Sequence, residues 1–106
     1  MTALKAKPRN IADLEKKAGD AAHFLKLLAN EQRLLILCRL AVAGEMSVGE
    51  LVEAGDLAQS ALSQHLAKLR QDGLVATRRD AQTIYYRIGD ARAARLLATL
   101  KNIYCP

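Results

Sequence analysis

After Gly73 the hydrophobic period of this chain changes from the 3.6 residues of a helix to the two of a strand, and few folds accommodate that change at that place. Before it, Leu62, Leu66 and Leu69 stand at i, i+4 and i+7, which makes one buried stripe on a helix expected over residues 59–71. Gly73 closes that helix. Beyond it, residues 74–79 and 83–88 read as two strands, with Val75 and Thr77 on one face and Ile84, Tyr86 and Ile88 sharing a face likewise. Asp80, Ala81 and Gln82 are the expected hairpin tip, without the glycine that tight hairpins prefer.

Upstream the period is helical throughout. Ile11, Leu14, Ala18, Ala21, Leu25 and Leu28 recur in steps of three and four, so residues 11–28 form a first helix with Asn10 as its cap. Asn30 can cap a second, with Glu31 in its first turn, Leu34, Leu37, Cys38 and Ala41 on one face, Ile36 and Leu40 beside it, and Gly44 at its end. Ser47 and Glu50 then form a capping box: the hydroxyl accepts from one amide and the carboxylate reaches back to the other. A short third helix reaches about Ala54 and Gly55 stops it. A short helix, a turn at Gly55 and a second helix with a polar outer face make a helix-turn-helix. Asp90 can cap a fifth and last helix bearing Leu96, Leu97, Leu100, Ile103 and Tyr104. The expected fold is therefore mainly α with a β-hairpin wing, a winged helix-turn-helix of five helices.

A chain of 106 residues allows one domain with a modest core, read here as residues 11–106 behind a basic tail at residues 1–10. The apolar fraction, 51%, is mostly Ala and Leu, which suits helices. The first and last helices carry apolar stripes longer than one small core needs, so both are expected to form the interface of a two-fold homodimer. No apolar run approaches a membrane span and no signal-peptide pattern appears, so the expected compartment is the cytoplasm and no membrane partner is expected.

The net charge is +5, and its placement says more than its size. Lys68, Arg70, Arg78, Arg79 and Arg87 gather between residues 57 and 88 against Asp72 and Asp80, whereas the preceding stretch carries Glu45, Glu50, Glu53 and Asp56. With the leucine stripe buried, the fourth helix turns Gln59, Ser60, Ser63, Gln64, Ala67 and Lys68 outward. A reader of the DNA major groove needs such groups: amides for adenine edges, small hydroxyls for bases or phosphates, a cation for the backbone. Arg78, Arg79 and Arg87, around Gln82, would reach the flanking minor groove or phosphates from the wing. The expected partner is double-stranded DNA carrying a pseudo-palindromic operator, read by two helices about 34 Å apart. No phosphate loop, nucleophile–base–acid set or pocketed carboxylate pair points to an enzyme, and no cofactor is expected.

Cys38 and Cys105 are too few for a secreted disulfide framework. On the residues alone they read as two unrelated small apolar groups; brought together in a reducing compartment, they would suggest redox chemistry or metal. Arg39 is a candidate for lowering a thiol pKa.

The order of elements, with Leu28-Ala29-Asn30-Glu31-Gln32-Arg33-Leu34, Ser47-Val48-Gly49-Glu50-Leu51, Gln59-Ser60-Ala61-Leu62-Ser63-Gln64-His65-Leu66 and Ile84-Tyr85-Tyr86-Arg87, resembles the ArsR family of winged-helix transcription regulators over residues 21–104. Within it the chain is most similar to the HlyU/BigR-like dithiol branch. The resemblance implies DNA contacts from Gln59, Ser60, Ser63, Gln64 and His65. It also implies a redox or persulfide-responsive pair at Cys38 and Cys105, joined by a disulfide or a longer sulfur bridge. Such proteins are usually repressors, although some in this branch act by displacing a DNA-silencing protein, with no effector required. Ala58 departs from the Ser or Thr common in the family, which puts a phosphate contact there in doubt. Metal-sensing members use cysteines where this chain has Ser47 and Gly49, or an Asp and a His on the last helix where it has Asp90 and Arg92. The remaining metal alternative is Cys38 and Cys105 with His23; no resident metal is expected.

Overall fold

The computed structural model describes the backbone of residues 8–105 and the side chains of residues 11–105. Its elements are α1 (Pro8–Leu28), α2 (Glu31–Ala43), β1 (Met46–Ser47), α3 (Val48–Ala54), α4 (Gln59–Gln71), β2 (Val75–Asp80), β3 (Thr83–Ile88) and α5 (Ala91–Tyr104). The three strands form an antiparallel sheet in the order β1-β3-β2. Five helices and a wing are thus present, and β1 joins the expected hairpin as a third strand; two residues are too few to show a period.

The chain divides into two compact units between Asn30 and Glu31. The first holds α1, which starts at Pro8, three residues before the expected start. A proline suits a first helical turn because its missing N–H would have no intrahelical acceptor there. Asn10 therefore lies inside α1 and does not cap it. Residues 1–7 of the expected tail lie outside the described residues. Ile11, Leu14 and Leu25 are exposed on α1, while Leu27 and Leu28 at its end are buried.

The second unit has one core, made by Ile36, Leu37 and Leu40 of α2, Leu51 of α3, Leu62, Leu66 and Leu69 of α4, Leu74, Val75, and Ala93 and Leu97 of α5. Among the described residues no polar or charged side chain is buried. The leucine stripe of α4 is where its spacing put it. The core face of α2 is not: Leu37 is buried as expected, but Cys38 and Ala41 are exposed and Ile36 and Leu40 take their places. A helix that is apolar nearly all round has no face chosen by period alone, and α4, α5 and β3 packing against α2 choose it. The consequence is that the Cys38 thiol lies at the surface.

Local signals set the ends. The amide of Gly44, at φ 87°, donates to the Leu40 carbonyl and ends α2. At the end of α4, Gly73 at φ 77° donates to Arg70 and Leu74 donates to Leu69, the paired bonds of a Schellman turn, with Leu69 and Leu74 both buried beside it. Leu74 thus belongs to this turn and β2 starts one residue later. The hairpin is tighter than expected: Asp80 pairs with Thr83 inside the ladder, which leaves only Ala81 and Gln82 as the turn. Ala81 sits at φ 57°, which costs a non-glycine residue about 1–2 kcal/mol, and Arg79 Nε donates to its carbonyl at 3.0 Å.

Candidate nucleic-acid interface

Two short-range devices aim α4. The capping box is present: the Glu50 amide donates to Ser47 Oγ at 3.2 Å and the Ser47 amide to Glu50 Oε1 at 2.9 Å, which fixes the start of α3. At the turn between α3 and α4, a Cβ on Gly55 would lie 2.7 Å from Arg39 Nη1, so the guanidinium of α2 rests close against this turn and a larger residue there would push that flexible end aside.

From that turn α4 presents Gln59, Ser60, Ser63, Gln64 and Lys68 to solvent, with His65 half-buried at the edge of the row. Lys68 is paired with Asp72 one turn on, at 3.3 Å. Ala58 occupies the cap position and its side chain makes no cap hydrogen bond, in contrast to the Asp90 carboxylate, which accepts from the amides of Arg92 and Ala93 at the start of α5. Without a side-chain cap from Ala58, the first turn of α4 keeps the partial positive charge of a helix start, a property that attracts a phosphate.

The ladder separates the wing arginines. Arg78 lies opposite Tyr85 and Arg87 opposite Ala76, whereas Arg79 lies opposite Ile84. Because side chains alternate along a strand, Arg78 and Arg87 share one face and Arg79 projects from the other. Gln82 at the tip, Arg79 and Arg87 are exposed. Arg78 is engaged within the chain: its Nε donates to both carboxylate oxygens of Glu45, at 3.0 and 2.9 Å, its Nη2 donates to Oε1, and its guanidinium lies 4.6 Å from the Tyr85 ring centroid. These bonds hold the Glu45 carboxyl below, and the Arg78 guanidinium above, their ordinary pKa values. Sequence reasoning counted Glu45 as one acidic residue among several; its partner becomes visible only once β1 is added to the sheet.

Cys38 and Cys105 are both exposed free thiols, on α2 and at the end of α5, two helices that pack together. Partial desolvation by its neighbours pushes the otherwise exposed Cys38 thiol above its ordinary pKa of 9.0, the charge of Cys105 adds to the rise, and Arg39 opposes it without prevailing. Arg39 therefore does not make Cys38 an acidic thiol. Around Cys38 a shallow apolar groove is lined by Leu35, Arg39, Val42, Ala43 and Met46. Among the described residues no three His, Cys, Asp or Glu side chains gather as a metal site. The Asp90 carboxylate is taken up by its capping amides and by Arg92, whose guanidinium bonds hold its pKa down. No helix among the described residues is long and apolar enough to cross a membrane.

Comparison with known proteins identifies the family and the fold. The family model described as "Bacterial regulatory protein, arsR family" matches residues 30–77, from the start of α2 into β2. The chain is 48% identical to the transcriptional activator HlyU of Vibrio cholerae over 99% of its own length and 96% of that protein. It is 45% identical to the biofilm growth-associated repressor of Xylella fastidiosa, over 88% of this chain and 81% of the relative. The solved structure of reduced HlyU from Vibrio cholerae superposes with a TM-score of 0.82 at 48% identity, covering 89% of this chain and 98% of that one.

Proposed function

The chain belongs to the ArsR family of DNA-binding transcription regulators, and on that premise we propose that it is a homodimer that binds a pseudo-palindromic operator and releases it when Cys38 and Cys105 are oxidised. The observation that carries the thiol part is their placement: 67 positions apart in sequence, they stand exposed on two packed helices, near enough that Cys105 raises the Cys38 pKa. In the operator complex Gln59, Ser60, Ser63 and Gln64 read base edges, with His65 beside them. Lys68, Arg79, Arg87 and Gln82 meet the backbone and the flanking groove. The exposed Ile103 and Tyr104 of α5, and Ile11, Leu14 and Leu25 of α1, are the apolar groups that a second copy would cover. With two such subunits the reading helices would fall about 34 Å apart.

A two-electron oxidant, either a peroxide or a polysulfide, accepts two electrons as the thiols lose two protons and join. The cross-link ties the end of α5 to α2, whose Arg39 rests on the turn before α4. Such coupling is of the order of 1–3 kcal/mol at the operator. Since one relative is an activator and another a repressor, the family leaves the sign of regulation open. An anti-silencing role would follow from operator binding in competition with a silencing protein.

The test is operator binding before and after polysulfide or peroxide treatment, with peptide mapping of the products. The two cysteine peptides should be joined and binding weakened tenfold or more, and Cys38→Ser and Cys105→Ser should bind when reduced without responding. Because the reactive thiolate forms only above a raised pKa, labelling of Cys38 should continue to rise with pH beyond 9.0. Unmodified thiols in a protein that still binds DNA would remove the switch and leave the regulator.

A further inference from the structure

We propose that Arg78 is a positioning residue of the wing, held by Glu45 and Tyr85 in the free protein and in the DNA complex alike, while Arg79 and Arg87 supply the wing's phosphate contacts. The inference rests on the DNA-binding function above and assigns the division of labour within it. Arg78 stands on β2, an edge of the sheet; its guanidinium passes over the ring of Tyr85 on the central strand and ends on Glu45, in the segment that leads into β1. The three side chains therefore cross the whole sheet. Their far end is anchored two residues before Ser47, the cap of α3, so the arginine ties the wing to the helix-turn-helix itself.

The chemistry favours a strut over a free phosphate ligand. The guanidinium meets both carboxylate oxygens of Glu45 and has one face against an aromatic ring, an arrangement that suits arginine and that lysine cannot reproduce. To reach a phosphate it would have to leave a carboxylate for another anion and give up the ring. Arg79 spends only its Nε on the turn carbonyl of Ala81, and Arg87 is exposed. Arg87 also lies close enough to Glu45 to help hold that carboxyl ionised.

The experiment measures binding to a duplex selected by the parent protein from a random-sequence pool, across a range of salt concentrations. Parent binding with a clear salt dependence establishes the DNA-binding function independently of the arginine. Removing one cation from the phosphate backbone lowers the slope of log K against log salt by about 0.9. Arg78→Gln should leave the slope unchanged while weakening binding roughly twofold to fivefold, the range of an exposed ion pair. Arg78→Lys should weaken binding as much, because it keeps the charge but not the two-pronged grip on the carboxylate, and Arg87→Gln should lower the slope. An Arg78→Gln slope reduced by about 0.9, with Arg78→Lys binding like the parent, overturns the proposal. Arg78 and Arg87 are both exposed, so the buried core of each variant is unaltered.

Discussion

Helices α4 and α5 are similar in length and differ in what each leaves unfinished. Every residue of the α4 leucine stripe is buried in the chain's own core, and its polar row faces outward. In α5 only Ala93 and Leu97 are buried, while Ile103 and Tyr104 are 61% and 77% exposed. The starts of the two helices differ in the opposite sense: α5 is capped by Asp90 and α4 has no side-chain cap. So α4 is complete on its apolar side and open on its polar side and first turn, which suits a charged partner. Its counterpart α5 is closed at its start and open on its apolar side, which suits a second copy of the chain.

The comparison can be broken at four places. The largest effect belongs to Leu66→Ala, which should cost about 2–5 kcal/mol of folding stability because the site is fully enclosed; thermal or urea denaturation measures it, and a loss below about 1 kcal/mol would mean that the α4 stripe is not the core. Next, Ile103→Asp should leave the folded subunit intact but weaken the proposed dimer by about 1.5–3 kcal/mol for each side chain no longer covered, visible as monomer in sedimentation at micromolar concentration. A variant that sediments like the parent would place the second copy elsewhere. Gln64→Ala should cost about 1–3 kcal/mol at the selected operator and relax its specificity while the melting temperature stays put. An unchanged sequence preference would show that the exposed row of α4 is an ordinary solvated face.

The smallest effect sharpens the contrast between the helix starts. Asp90→Ala should cost about 0.5–2 kcal/mol of stability through removal of the cap. Arg92 and the capping amides hold the Asp90 carboxyl below its ordinary value of 3.8, so its contribution is present in full above that value and is lost as the pH falls through the lower folded value. The difference in stability between the parent and Asp90→Ala should accordingly be constant near neutrality and shrink in acid below about pH 4. A difference that grew in acid would mean that the carboxyl is bound as the neutral form.

Much of this was legible without coordinates, wherever a local physical rule leaves one solution. Leucines at i, i+4 and i+7 can be buried together on only one helical face, so the α4 core and its exposed row followed from spacing. The Ser47–Glu50 box, the Asp90 cap and the helix-ending Gly73 are satisfied within a few residues of themselves, so distant parts of the chain do not alter them. The resemblance to the family added the expectation that Cys38 and Cys105 act as a pair, which neither period nor composition could suggest.

What remained needed the tertiary structure, because it depends on groups far apart in sequence competing for the same space. The face of α2 was decided by its neighbours, and that choice brought Cys38 out of the core to the surface near Cys105. The strand β1 exists only because β3 lies beside it, and the contact of Glu45 with Arg78, 33 positions apart, follows from that strand. Alternation along β2 could be counted in advance, but which wing arginine would be held and which left exposed could not. An ion pair across a sheet depends on register and sheet order, and these are set by burial of the strands against the helices and not by the residues that form the pair.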